Sequence, residues 1–231
     1  MSIEKTRGKF DDWAESGAGD QLESSHGDVV EQVIDAMDIR PGERILDLGC
    51  GTGWATRILA QRAPGAQAVG VDVSPKMIAR ADELHSLRIR ARYDVGSFEE
   101  LDFPEASFDR VFSMEAIYYA QDLDRALSEL CRVLKPGGAA EIVVDYFADS
   151  PGTAVWGELL DVKMHFLVAD EWRRAFERAG FGDVTTSRVI DRRGPGDPAG
   201  FEPNEWTPDW ETKLSVHENG SLWIHAEKPS A

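Results

Sequence analysis

Asp47-Leu48-Gly49-Cys50-Gly51-Thr52-Gly53 is the stretch of the chain best equipped for chemistry. Glycine lets the backbone turn sharply and brings a ligand against bare amide groups, and a helix that starts behind such a turn favours negative charge there. Asp72 follows at about the 20-residue spacing at which a carboxylate on the tip of the neighbouring strand accepts both hydroxyls of a ribose. A strand-end cap is its other reading. Taking Gly49 and Gly51 as the first two glycines of a dinucleotide fingerprint puts Trp54, the largest side chain, where the third glycine belongs, which disfavours NAD. A triphosphate loop fares worse. No Gly-Lys-Ser/Thr follows, and the phosphates would meet carboxylates instead of a lysine.

Such a loop needs a strand before it and a helix after it. Arg44-Ile45-Leu46-Asp47-Leu48 is a short apolar run, and residues 54–62 resume a helical period until Ala63-Pro64-Gly65. Ala68-Val69-Gly70-Val71-Asp72 is a second buried-strand run, after which Ser74-Pro75 opens a helix with a capping residue and a proline at the first helical position. Further strands are expected at 88–93, 108–113 and 139–146, with a helix over 123–134 ended by the turn Lys135-Pro136-Gly137-Gly138. This alternation implies an α/β fold with a parallel sheet and right-handed crossovers. Residues 28–37 place Val29, Val30, Val33, Ile34 and Met37 on one helical face, and Pro41-Gly42 stops that helix. The last third predicts a helix at 171–179 and strands at 184–190 and 221–226. Between those strands, residues 191–220 are rich in Pro, Gly and Trp and read as a loop over one edge of the sheet, of the functional or mobile kind.

The totals set the class. A chain of 231 residues fits one α/β domain. Its apolar fraction of 42% is near the globular average, and no apolar run approaches the length of a membrane span. The N-terminus is polar and lacks the apolar core of a secretory signal, so a cytoplasmic location is expected. Cys50 and Cys131 form no disulfide framework and no metal site is expected. A net charge of −17 repels polyanions, and Lys and Arg form no basic stripe, which argues against a nucleic-acid partner. The acidity fits a salt-rich cytoplasm and equally an ordinary acidic protein.

Four ordered motifs resemble those of the class I S-adenosylmethionine (SAM)-dependent methyltransferases. Ile45-Leu46-Asp47-Leu48-Gly49-Cys50-Gly51-Thr52-Gly53 is similar to that family's first motif, and Val69-Gly70-Val71-Asp72-Val73-Ser74-Pro75-Lys76-Met77-Ile78 to its acidic second-strand motif. Leu101-Asp102-Phe103-Pro104 with Ser107-Phe108-Asp109 resembles the approach to the fourth strand, and Arg132-Val133-Leu134-Lys135-Pro136-Gly137-Gly138 the turn before the fifth. The subgroup most resembled holds the ubiquinone/menaquinone biosynthesis methyltransferases and related small-molecule enzymes. The resemblance implies a Rossmann-like, seven-stranded, mostly parallel sheet with helices on both faces and an antiparallel last strand. It divides a single domain, 1–231, into an N-terminal helical cap (1–40), a SAM-binding core (41–146) and an acceptor-side segment with the C-terminal strands (147–231).

The same resemblance implies site residues. Gly49, Gly51 and Gly53 would pass under the methionine part of SAM, Thr52 would lend a hydroxyl, and Asp47 would orient either the loop or the ligand's ammonium. Asp72 would hold the ribose. Ser97 and Phe98 would flank the adenine, although many relatives carry an aspartate where Ser97 stands. Val73, Met77 and Met114 would add contacts to the cofactor. The product would be S-adenosylhomocysteine (SAH).

Methyl transfer from a sulfonium is an in-line displacement, so the protein mainly aligns the acceptor and excludes water, with a base needed where the nucleophile arrives protonated. Glu115 and Tyr119 follow the fourth strand and face the same sheet edge as the glycine loop. His165 is the histidine placed in the segment that builds the acceptor pocket in relatives. For each, packing is the competing reading. Phe10, Trp13, Trp156 and Trp172 form either an apolar lid or core. The absence of Asn-Pro-Pro-Tyr argues against nucleobase amines, and neither cysteine is placed for a thiol nucleophile. A small-molecule acceptor is therefore expected, with its methylated atom open and the oligomeric state undetermined. A binder of SAM or SAH that has lost transfer activity is the alternative.

Overall fold

The computed structural model describes residues 2–230, so Met1 and Ala231, the ends of the expected 1–231 domain, lie outside the described residues. Two helices come first, α1 (Ile3–Ser16) and α2 (Leu22–Ala36). The alternating core then runs β1 (Arg44–Leu48), α3 (Trp54–Gln61), β2 (Gln67–Asp72), α4 (Pro75–Glu83), β3 (Ala91–Val95), β4 (Phe108–Met114), α5 (Leu123–Val133) and β5 (Leu134–Val144). It closes with α6 (Trp156–Leu160), α7 (Ala169–Arg178), β6 (Gly182–Val189), α8 (Trp210–Asn219) and β7 (Ser221–Glu227).

One sheet results, in the order β3-β2-β1-β4-β5-β7-β6. β1 pairs parallel with both β2 and β4, whereas β7 runs antiparallel between β5 and β6. The strand order therefore reverses between β1 and β4, and crossovers leaving in opposite directions open a crevice there at the carboxyl ends of the strands. Central strands need apolar residues on both faces, and β1 meets the demand: Ile45 joins one core with Val30, Val33 and Leu59 of α2 and α3, while Leu46 and Leu48 join the other with Leu127 and Leu130 of α5 and Phe176 of α7. Each such buried aliphatic side chain contributes roughly 1.5–3 kcal/mol. The stripe expected on α2 is buried in full, from Val29 to Met37.

Two local signals hold as chemistry. Ser74 caps α4, its Oγ accepting from the Met77 N–H at 3.0 Å, with Pro75 at the first helical position. Asp122 caps α5 in the same way through the Arg125 N–H at 3.0 Å. Replacing either cap by alanine removes about 1 kcal/mol.

Some expectations need correction. The third strand begins at Ala91, not Arg88, because Ser86 and Ile89 close a turn through the Ile89 N–H. The expected turn 135–138 is a bulge inside β5: Leu134 pairs with Phe108, the register then shifts, and pairing resumes at Ala139 with Arg110. Residues 191–220 are not a plain loop. They hold α8, a ten-residue helix capped by Asp209, whose Oδ1 accepts from Thr212 N–H at 2.7 Å. None of its side chains is buried, so it carries no apolar stripe from which periodicity is read.

Candidate active site

A cavity of about 1060 Å³ lies over the carboxyl ends of β1, β2 and β4 and is roofed by α1, the start of α2 and residues 191–217. Its floor is the glycine loop. Gly49, Gly51 and Gly53 all adopt left-handed φ, between 52° and 75°, which glycine takes without the strain a side chain adds. At Gly49 the fit is close as well: an added Cβ would stand 2.1 Å from the Cβ of Ala116. Above Gly51 there is open space.

Asp72, at the tip of β2, reaches across to this loop. Its Oδ2 accepts from the Gly51 N–H and its Oδ1 from the Ser74 N–H, both at 2.9 Å. Asp47 is held below by the Thr56 hydroxyl, which donates to its Oδ2 at 2.6 Å. Both carboxyls are buried, and loss of hydration pushes Asp47 up to about 7 and Asp72 to about 6, against hydrogen bonds that pull the other way. Two buried acids with few cationic neighbours make this end of the cavity receptive to positive charge and to hydroxyl or ammonium donors.

Met77, Val73, Phe98 and Ser97 complete this half of the cavity wall. Ser97 Oγ donates to the carboxylate of Glu99, which also lines the cavity and accepts from the Gln121 N–H at 2.5 Å. A carboxylate thus stands at the place where the serine departs from an expected aspartate. Glu99 was not singled out from sequence, and its one signal is its position two residues beyond Ser97.

The other half is walled by aromatic rings. Tyr119, Phe10, Trp13, Trp206 and Trp156 form a chain of edge-to-face contacts with centroid separations from 5.0 to 6.4 Å. The Trp156 indole N–H donates to the Trp206 carbonyl at 3.1 Å. Phe10, Trp13 and Trp156 therefore belong to the cavity, whereas Trp172 is fully buried in the core between the sheet and its helices.

Glu115 and Met114, at the end of β4, also face the cavity. Glu115 sits at φ 54°, a strained value for a residue with a side chain, held by the Tyr118 hydroxyl at 2.8 Å and by the Asp145 N–H. Burial, with the charge of Asp145 second, keeps its carboxyl well above the ordinary range.

Three expected residues fall elsewhere. Thr52 is 3% exposed, its side chain packed beside Gly19 and its carbonyl taken by Arg57 at 2.9 Å, and it is not part of the cavity wall. Gly53 is the cap of α3 and packs against the Tyr93 ring, where an added Cβ would come within 2.4 Å. His165 is tied into backbone, its Nε2 2.9 Å from the Ala120 carbonyl and its N–H on the Tyr118 carbonyl, so it is not part of the cavity wall. Met164, its neighbour, takes that place, together with His26 and His217. Nothing in the local pattern distinguishes His26, since only the packing of α2 brings it to the strand ends.

Residues 46–142 match the family model described as "Methyltransferase domain". The chain is 30% identical over 195 residues to the methyltransferase GfsG of Streptomyces halstedii, covering 81% of this chain and 70% of the relative. It is 32% identical over 224 residues to the 2-methyl-6-phytyl-1,4-hydroquinone methyltransferase of Synechocystis sp., covering 81% and 69%. Among solved structures it is similar to a chain of the complex between the Haloferax volcanii Trm112 methyltransferase activator and a methyltransferase. That match has TM-score 0.88 and 30% identity and covers 95% of this chain and 97% of the other.

Proposed function

Because the chain belongs to the class I SAM-dependent methyltransferases, we propose that it methylates a small molecule held in the aromatic half of the cavity while SAM occupies the glycine-loop half. The observation that carries this reading is the pairing of Asp72 with the Gly51 amide beside open space over the loop. A ribose fits where the carboxylate tip meets the loop backbone, since each Asp72 oxygen accepts one N–H and keeps a lone pair for a hydroxyl, and Ser97, Phe98 and Glu99 suit an adenine at the far wall. Val73, Met77 and Met114 supply apolar contact along the way. Asp47, beneath the loop, offsets the positive charge of the amino acid part and keeps Gly49 and Gly51 in place through β1. In this reading Thr52 and Gly53 support the loop and do not touch the ligand. When bound, SAM supplies an electrophilic methyl on a sulfonium, and the chain's own residues align the acceptor and keep water out.

A small acceptor suits the surface charge of −17 and the enclosed aromatic walls better than a polyanion does. The hydroquinone named for the Synechocystis relative points the same way. We read residues 1–40 as the lid of one domain, 41–146 as its cofactor core and 147–231 as its acceptor side. Among the described residues no helix is long and apolar enough to cross a membrane, in keeping with the cytoplasmic location this reading adopts. By likeness to the Haloferax chain we also propose that an activator subunit of the Trm112 kind joins this protein, which predicts co-purification on co-expression.

Calorimetry with SAH tests the cofactor half directly. Wild-type protein is expected to bind SAH and to ignore NAD, and Asp72→Ala is expected to weaken SAH by at least about 10-fold, the effect of losing one charged hydrogen-bond pair. Unchanged affinity in Asp72→Ala would falsify the ribose role.

A further inference from the structure

Three elements bring acid–base groups that cofactor binding does not use together at the edge of the cavity. Asp145 follows the last residue of β5, and Glu115 follows the last residue of β4 with its carboxyl accepting from the Asp145 N–H. His26 comes from the second turn of α2 and lines the cavity. Its Nδ1 is 3.5 Å from Asp145 Oδ2, and both side chains are 19% exposed. The other oxygen, Asp145 Oδ1, is buried with no hydrogen-bond partner among the described residues.

We propose that His26 is the general base of the transfer, oriented by Asp145, and that its other ring nitrogen takes the proton of an aromatic hydroxyl lodged among Trp13, Trp156 and Trp206. The inference rests on the methyltransferase reading above. In the step, the acceptor's O–H bond breaks and its proton moves to His26. The oxygen bonds to the methyl carbon as the carbon–sulfur bond breaks with its electron pair staying on sulfur. The imidazolium then loses the proton to solvent, so charge and atoms balance.

Physical reasons favour this assignment. A base must be neutral before it acts, and burial lowers the affinity of His26 for protons; Asp145 and Asp191 oppose that shift, and Arg193 adds to it. Burial, with the charge of Asp145 second, raises the affinity of Glu115 for a proton, and its two oxygens already accept from the Tyr118 hydroxyl and the Asp145 N–H, which makes the histidine the freer acceptor. The 3.5 Å gap is beyond a formed hydrogen bond, and gaps of this kind in ligand-free sites close when a substrate presses on the ring. Arg193 fixes the helix that carries His26 by donating to the carbonyls of Ser24 and Ser25 at 2.6 and 2.8 Å while pairing with Asp191. Lys213 and His217 of α8 and Glu205 before it line the same cavity, while the charged groups acting on the ring are Asp145, Asp191 and Arg193. An aromatic hydroxyl suits both the ring walls and a weak base, whereas a carboxylate acceptor needs no base and would meet Glu115 and Asp145.

The test uses the full chain, nitrogen-labelled at histidine, with 1-naphthol and catechol as hydroxyaromatic probes and 1-naphthoate as the anionic control. In NMR titrations His26 is expected to titrate below free histidine, with its proton on Nδ1, and Asp145→Asn is expected to erase that tautomer preference. With SAM and probe, His26→Gln is expected to lower kcat about 100-fold and to remove the acidic limb of the pH profile, with SAH affinity unchanged. Retention of that limb by His26→Gln, or a His26 proton on Nε2, overturns the assignment. If no hydroxyaromatic is methylated while SAH still binds, the acceptor class is wrong and the cofactor reading stands. Failure to bind SAH sinks the reading beneath both.

Discussion

The two halves of the cavity are built by different means. The cofactor half is made of backbone and strand tips: glycines with left-handed φ, an aspartate at the end of β2, a serine cap at the head of α4. Its geometry follows from the sheet register that sets Leu48 beside Val71. The acceptor half is made of side chains brought from the N-terminal helices α1 and α2, from Tyr119 after β4, from α6 and from the 191–217 segment, stretches that lie far apart along the chain. A binding site cut from backbone resists change in its ligand, while one walled by side chains is altered one residue at a time.

That contrast predicts unequal damage. Gly49→Ala forces a Cβ against Ala116 in a left-handed backbone, so loss of SAH binding by 100-fold or more is expected, with a stability cost of about 2–4 kcal/mol in denaturant titrations. If the variant binds SAH normally, the loop is not the rigid floor described.

Asp47→Asn separates stability from binding. Asp47 and Asp72 hold protons more tightly folded, at about 7 and 6, than at their ordinary value of 3.8, so their contribution to stability is present below about pH 4 and is lost as pH rises through 6 and 7. The ligand-free protein is therefore expected to lose melting temperature from pH 5 to pH 8 more than surface charge alone explains. Asn keeps an oxygen for the Thr56 hydroxyl and removes the buried charge, so the variant should be more stable at pH 8, by on the order of 1–3 kcal/mol, and bind SAH less well. A flat wild-type profile would remove the electrostatic account of this half.

Trp206→Ala tests the other side. Its partly buried ring meets Trp13 and Trp156 in edge-to-face contact, so SAH affinity is expected to stay within about 2-fold and stability within roughly 1.5 kcal/mol, while naphthol binding weakens. Equal loss of both ligands would mean that the halves are coupled. The smallest effect is expected for His165→Asn, since among the described residues the ring's one hydrogen-bond partner is the Ala120 carbonyl: transfer rates should be unchanged and stability lowered by about 1 kcal/mol at most.

Much of this was legible from the chain itself, for a physical reason. The glycine loop, Asp72, the Ser74-Pro75 start of α4 and the apolar runs of the strands are local signals, because turn geometry, capping and period depend on residues within one or two turns of each other. From them follow the α/β alternation, the carboxyl-edge site and the family. Residues 135–138 have the composition of a turn yet form a bulge inside β5, and β3 starts at Ala91, later than its composition suggests, since ladder pairing decides where a strand begins.

What only the tertiary structure decided is the acceptor side. His26 lies 119 positions before Asp145 in the chain, by their numbers, and no spacing rule links a residue on α2 to the tip of β5. His165 carried the better local argument and was lost to a backbone carbonyl, while α8, lacking a buried stripe, gave no period to detect. Side chains that meet only through packing leave no pattern in sequence, so the identity of the walls had to come from the folded chain.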